Sequence, residues 1–252
     1  MNNVELWNAC GNILLVATEF DLKIDQVLSE EYKKQIANVL KFNNADTMML
    51  CSEDGKVVRV LESDMSESNM CGNGIRAVYS YFGFERSFFT TRAGEIECSL
   101  IGQDLISVKM GNVNLHGEID YMGYKLYLSD IGEPHAVLLV DDINQATEIF
   151  DRIGFQFVQH FFENYETNFN LNVVQVLDNN NLIQRTFERG VNDETMACGT
   201  GASCSFYVLN NLGFCGDSVT FSVKGGNLYV SLGVDNCVYK AGPSVKLKDV
   251  II

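Results

Sequence analysis

Two short elements of this chain hold the residue types needed to move a proton on and off carbon. Met70-Cys71-Gly72-Asn73-Gly74 recurs 127 residues later as Ala197-Cys198-Gly199-Thr200-Gly201. A single Cys-Gly-x-Gly reads as a glycine turn with an incidental core thiol. Its duplication gives the pair meaning. A glycine turn that opens a helix leaves N–H groups without intrahelical partners, so the start of that helix attracts anions. The same partial charge favours thiolate over thiol, lowering a cysteine pKa from about 8.5 to roughly 3.5–7.5 when the geometry is good.

Two such starts converging on one cleft would grip one carboxylate and set a sulfur on each side of the neighbouring carbon. That arrangement suits inversion of an α-carbon. A thiolate on one face removes the proton, a thiol on the other returns one, and the pair exchanges roles with direction. Charge that develops in the carboxylate falls where amides and helix dipoles stabilise it more than they stabilise the ground state.

The elements that position these thiols repeat as well. The stretch Ala93 to Leu100 resembles Gly225 to Leu232, and Lys109-Met110-Gly111 matches Lys240-Ala241-Gly242. Glu62 stands nine residues before the first Cys and Glu188 ten before the second; Gly11-Asn12 has an analogue in Gly132-Glu133. Two similar domains are therefore expected, residues 1–115 with Cys71 and residues 116–242 with Cys198, joined near 112–122, with residues 243–252 packing on the first. Alternating stretches predict strands at Val57–Leu61, Leu105–Lys109, Leu182–Phe187 and Asn227–Leu232. Ser29 and Asn144 are placed to cap helices running to Leu40 and about Ile153. Two further helices, about Gly74–Phe82 and Gly201–Leu212, are apolar on nearly every face and must be enclosed on all sides. The fold class is α/β (α+β): two pseudo-symmetric domains, each a curved, mostly antiparallel sheet wrapped around a central buried helix.

The 252 residues carry 46% hydrophobic and 11% aromatic residues with two prolines, a globular rather than a disordered composition. A formal charge of −15, without any run of Lys or Arg, opposes binding to nucleic acid. No apolar stretch approaches the roughly 20 residues that span a bilayer, and no secretory signal is written at the start, so a cytoplasmic location is expected. None of the eight cysteines forms a Cys-x-x-Cys pair and the three histidines are scattered, so no metal site is expected. Most of the thiols read as small buried hydrophobes.

Asn69-Met-Cys-Gly-Asn-Gly74, the run Phe187 to Gly201 with its Glu188-Arg189-Gly190, Gly11-Asn12, Gly132-Glu-Pro-His135 and Gly242-Pro243 together resemble diaminopimelate epimerases over almost the whole chain. The resemblance implies an amino-acid racemase or epimerase that needs neither pyridoxal phosphate nor any other cofactor, with Cys71 and Cys198 as the base and acid. It places the amides of Gly72, Asn73, Gly199 and Thr200 on the substrate carboxylate, and Asn12, Asn170, Glu188 and Arg189 in the pocket. His135 is set nearby as an aid to proton transfer, and a homodimer is the family-level expectation. Two positions depart from the pattern: Glu62, where Asn is usual, and Glu133, where the family has Gly-Asn-Pro-His. Thr47 also stands near a position where Gln is usual. Two carboxylates beside a pocket disfavour a distal substrate carboxylate. The expected substrate is thus an amino acid with a polar or basic side chain, histidine first and then lysine, ornithine or arginine, with diaminopimelate as the alternative. A non-catalytic amino-acid-binding protein and a thiol redox sensor are the other classes, and proline racemases share the paired motif.

Overall fold

The computed structural model describes residues 4–19, 29–83, 87–102, 105–160 and 167–250. The chain divides into two compact units, Met1–Val108 with Ala241–Ile252, and Lys109–Lys240.

In the first unit β1 (Val4–Ala9) and β2 (Asn12–Thr18) form a hairpin. Helix α1 (Glu30–Asn43) crosses over to β3 (Thr47–Cys51), which lies parallel to β2. Ser29 caps α1 by accepting the Tyr32 N–H, Glu30 and Glu31 occupy the first turn, and Asn44 ends the helix in the left-handed region. Strands β4 (Val58–Glu62) and β5 (Glu67–Ser68) continue the sheet antiparallel. On its other edge β1 pairs with β18 (Val245–Val250). Alternation along the strands divides the two faces. Leu6, Leu15, Ala17, Met48, Leu50 and Leu61 pack on Ile36 and Leu40 of α1. The opposite face receives α2 (Gly72–Tyr81), buried at every position from Gly72 to Tyr79. An antiparallel run of β6 (Phe88–Thr91), β7 (Gly94–Ile101) and β8 (Leu105–Gly111) follows.

The second unit repeats this plan. Strands β9 (Asn114–Tyr121), β10 (Tyr124–Asp130) and β11 (Pro134–Leu139) are antiparallel neighbours. A helical crossover containing α3 (Ala146–Ile149) and α4 (Phe155–Gln159) leads to β12 (Asn170–Val176), parallel to β11. Then come β13 (Asn181–Glu188), the short β14 (Asp193–Thr195), the buried helix α5 (Gly199–Asn211), and β15 (Ser218–Val223), β16 (Gly226–Leu232) and β17 (Val238–Gly242). Helix α5 packs against β10, β11, β12 and β16, while the crossover helices cover the other face with Phe150, Ile153 and Phe157. Strand β9 lies on β10 as β18 lies on β1. Each unit is a mostly antiparallel sheet curved around one buried helix. No helix among the described residues is long and apolar enough to cross a membrane.

Three local expectations are corrected. Both buried helices begin two residues earlier than predicted, at Gly72 and Gly199, because the cysteines are themselves the N-caps. Asp142, not Asn144, caps the crossover helix, since its carboxylate takes the Asn144 N–H at 3.0 Å. That helix is also not one α-helix to Ile153. It passes through a 3₁₀ turn at Ile143–Gln145 and a π turn at Phe150–Gly154, where Gly154 meets the Phe187 ring, and ends at Gln159.

Gly74 is required by close approach. A Cβ placed there would lie 2.2 Å from Met49 Sδ, which is fully buried on β3. Gly74→Ala is expected to destabilise the protein by about 1–3 kcal/mol. In a double-mutant cycle of denaturant melts, Met49→Ala should recover part of that loss, and additive effects would show that the contact does not hold α2 in place.

Candidate active site

Each unit builds one thiol site at the start of its buried helix. Cys71 has extended backbone geometry (φ −128°, ψ 103°) and its sulfur accepts the Gly74 N–H at 3.3 Å. Cys198 does the same (φ −112°, ψ 112°), accepting the Gly201 N–H at 3.4 Å. A cap of this kind keeps the sulfur beside the free amides of the first turn, where the helix dipole favours negative charge. Cys71 is half-buried, its thiol directed to Asn12 Oδ1 at 3.8 Å; Cys198 is buried, with Thr200 Oγ1 at 3.5 Å.

The strands leading into each cysteine are clamped alike. Arg59 on β4 grips Glu67 on β5 through Nε and Nη2 at 3.1 and 3.3 Å, four residues before Cys71. Arg185 on β13 grips Glu194 on β14 at 2.6 Å through each of the same nitrogens, four residues before Cys198, and Lys224 adds a 2.8 Å contact. Burial pushes the Glu194 carboxyl up, but Arg185 and Lys224 hold it below its ordinary value. Next to each clamp a hydroxyl binds a glutamate: Ser68 donates to Glu62 Oε1 at 2.6 Å, and Thr195 donates to Glu188. Thr47, paired with Glu62 across β3 and β4, donates to its other oxygen at 3.1 Å.

Beneath the two helices the floors differ. In the first unit Met49 meets α2 at Gly74, and the α2 side chain Arg76 is fully buried, donating to Asn73 Oδ1 at 2.9 Å. Burial pulls the Arg76 pKa down, opposed by the nearby Cys10, Cys71 and Cys98. In the second unit the floor is polar. Asn172 Nδ2 lies 3.1 Å from His135 Nδ1 and donates to Ala136 O, while its Oδ1 accepts from Thr186 and Gln184. The amide donor makes Nδ1 an acceptor, so the His135 proton sits on Nε2 and faces Thr200 Oγ1 at 2.9 Å. Thr200 in turn reaches the Cys198 sulfur, so His135 is linked to the thiol through one hydroxyl. Full burial, aided by the Arg189 charge, lowers the His135 pKa to about 3 and keeps the ring neutral. At Cys198 burial pushes the thiol up and Glu188 adds to this. The Thr200 hydroxyl, the Gly201 N–H and Lys240 pull it down.

The remaining site residues fall beside these groups. Asn12 donates to Asp46 at 2.9 Å and faces Cys71. Strand pairing puts His135 directly beside Asn170, whose Oδ1 accepts the Arg189 N–H at 2.9 Å. The Arg189 guanidinium binds Thr167, the Asn168 carbonyl and Glu133. Glu133 is therefore already paired with a cation, which removes one of the two carboxylates on which a basic substrate was expected. The second, Glu62, occupies the place in the repeat that Glu188 holds in the other unit, and both are engaged by hydroxyls.

Sequence reading missed Asn172, Gln184 and Thr186, although polar residues at alternate positions of otherwise apolar strands mark them. It also passed over the clamps, whose glutamates recur at the 127-residue spacing of the cysteines and whose arginines recur at 126, and gave Lys240, a cation inside an apolar strand, no role beyond the repeat.

Solved structures share this architecture. A phenazine biosynthesis PhzC/PhzF-type protein from Clostridium difficile superposes with a TM-score of 0.71 at 16% identity, covering 99% of this chain and 98% of its own. A probable proline racemase from Agrobacterium radiobacter gives 0.68 at 14% identity, covering 99% and 92%. A duplicated fold with one helix-capping thiol in each half defines the class, the pyridoxal-phosphate-independent amino-acid epimerases and racemases. The family model for diaminopimelate epimerase matches residues 127–247, and the diaminopimelate epimerase of Methanocella arvoryzae is 30% identical over 93% of this chain and 90% of its own length. The chain belongs to the diaminopimelate epimerase family.

The neutral His135 makes stability depend on acidity. An unfolded histidine takes a proton near pH 6.5, whereas the buried ring does so only at about 3. Between those values the unfolded chain binds more protons, so stability falls as pH drops through the window. Melting temperatures measured from pH 6.5 downward should fall more steeply for the native chain than for His135→Gln. Equal slopes would mean that the ring is protonated in the folded state.

Proposed function

We propose that the chain inverts the α-carbon of an amino acid by two-thiol chemistry, Cys71 and Cys198 acting from opposite faces and exchanging the roles of base and acid. The observation that carries this reading is the equivalence of the two sulfurs. Each is the N-cap of a buried helix, and each accepts the N–H three residues on. The thiolate takes the α-proton and becomes a thiol. The electron pair left on carbon delocalises into the carboxylate, which the amides of Gly72, Asn73, Gly199 and Thr200 receive. The opposing thiol then gives its proton to the other face and becomes the thiolate. Turnover ends with the two sulfurs in exchanged protonation states, ready for the reverse direction. Asn12, Asn170, Glu62, Glu188 and the Arg189–Glu133 pair bind the substrate's other polar groups.

Diaminopimelate is the substrate supported best, because the relative from M. arvoryzae is named for it and Glu133 is paired with Arg189. A polar or basic side chain keeps one support, the charge of Glu62, which Thr47 and Ser68 bind without neutralising. Histidine has no support apart from that charge.

The test uses purified, reduced protein in deuterated water without pyridoxal phosphate, offered diaminopimelate, histidine, lysine, ornithine and arginine separately. Deuterium should appear at Cα of the substrate as it is inverted. Cys71→Ala and Cys198→Ala should each cost at least about 10²–10⁴ in turnover. Inversion of basic amino acids with none of diaminopimelate would reverse the order of substrates. Failure to exchange any α-proton would overturn the mechanism.

A further inference from the structure

Side chains from three neighbouring strands and α5 form one line of hydrogen bonds in the second unit, and the amide at its centre gives the line a direction. On β13 Gln184 Nε2 donates to Thr186 Oγ1 at 3.0 Å and to Asn172 Oδ1 at 3.4 Å. Thr186 passes its own hydroxyl hydrogen to Asn172 Oδ1 at 3.0 Å. The other end of the Asn172 amide lies 3.0 Å from the Ala136 carbonyl. A carbonyl can only accept, so that end is the nitrogen, and its second hydrogen goes to His135 Nδ1 at 3.1 Å. His135 Nε2 then gives its hydrogen to Thr200 Oγ1 at 2.9 Å, which leaves the Thr200 hydroxyl to donate to the Cys198 sulfur at 3.5 Å.

Strand register sets these groups on one face of the sheet. His135 pairs with Asn170, two residues before Asn172, and Asn172 pairs with Thr186, two residues after Gln184. A Cβ at Gly201 would lie 2.3 Å from Asn172 Oδ1 and 3.2 Å from the Cys198 sulfur, so the amide sits against the turn that carries the thiol. At the far end Gln184 Oε1 is buried without a hydrogen-bond partner among the described residues. Turning that amide over would point its oxygen at Asn172 Oδ1, oxygen against oxygen. The neighbour of Cys71 is of the opposite kind, since Asn12 gives its amide N–H to Asp46 and turns its oxygen to the sulfur. The charged and titratable groups that face Cys198 are Glu188 from β13 and Lys240 from β17, with His135 from β11 acting through Thr200; those that face His135 are Arg189 and Asp130.

We propose that Asn172 is a positioning residue for the reaction at Cys198: by holding the His135 proton on Nε2 it turns the Thr200 hydroxyl toward the sulfur, where the hydroxyl donates to the thiolate. The inference rests on the two-thiol reading and deepens it. The line conducts no proton, because the Asn172 nitrogen cannot accept one from Nδ1. It acts through polarisation alone, each donor strengthening the next.

The test begins with the native chain and no substrate. Long-range proton–nitrogen NMR correlation on protein carrying isotopically labelled histidine assigns the ring tautomer, and the His135 proton should be found on Nε2. A proton on Nδ1 overturns the proposal without recourse to any variant. The second measurement is the pH midpoint of iodoacetamide modification at Cys198, read peptide by peptide, since comparing midpoints cancels differences in access. Thr200→Val should raise it by about one unit, a tenfold loss of thiolate below the midpoint, and Thr200→Ser should leave it near the native value. Asn172→Leu should raise it as well, with Cys71 unmoved, and should add nothing when combined with Thr200→Val. Additive shifts, or an Asn172→Leu midpoint equal to the native one, would show that Asn172 only packs, and would overturn the proposal. Should Asn172→Leu fail to fold by circular dichroism, Asn172→Asp replaces it in the same comparison, and its carboxylate should draw the His135 proton to Nδ1. An active chain with that proton on Nδ1 from the start would keep two-thiol inversion and reject the positioning role. An inactive chain with the Nε2 tautomer and an Asn172-dependent midpoint would do the reverse.

Discussion

A helix that begins inside a protein has N–H groups that no preceding carbonyl can reach, and in both units a cysteine sulfur takes one of them. Sulfur is a weak acceptor while it carries a proton and a strong one when it does not, so the cap is stabilised by the ionisation that the proposed two-thiol reaction requires. Glycines follow from the same constraint. Asn172 reaches the first turn of α5 so closely that a Cβ at Gly201 would lie 2.3 Å from its Oδ1.

The two sites share a skeleton and differ in dielectric. Met49 under α2 gives an apolar floor, whereas Asn172, His135, Gln184 and Thr186 give α5 a hydrogen-bonded polar layer. A fully buried ring in such a layer is neutral and has one tautomer, so it orients Thr200 without taking up a proton itself. The proposed reaction thus does not demand identical surroundings; it demands that each sulfur reach both protonation states.

Much of this was legible in the chain. The repeated Cys-Gly element marked the starts of the two buried helices because two copies at one spacing are hard to obtain by chance, and alternation located strands such as β4, β13 and β16. Two helix starts were misplaced because cysteine is not among the usual capping residues, which hid the position of Cys71 and Cys198 at the cap itself. Which acid Arg189 meets was hidden because Glu133 is 56 residues away and only the pairing of β11, β12 and β13 brings them together. Asn172 was passed over for a similar reason: its partners Thr186 and Gln184 lie on the neighbouring strand, and only the pairing of β12 with β13 brings them together.

The pairing of β18 with β1 gives the chain an unequal folding order. Residues 109–240 form a continuous stretch that can assemble from its own contacts, but the sheet beneath Cys71 gains its outer strand only after the intervening unit has been made. Closing so long a loop is slow, and until it closes the backbone of β1 offers an open edge to other chains. Late delivery of six residues therefore governs when the sheet beneath Cys71 becomes secure.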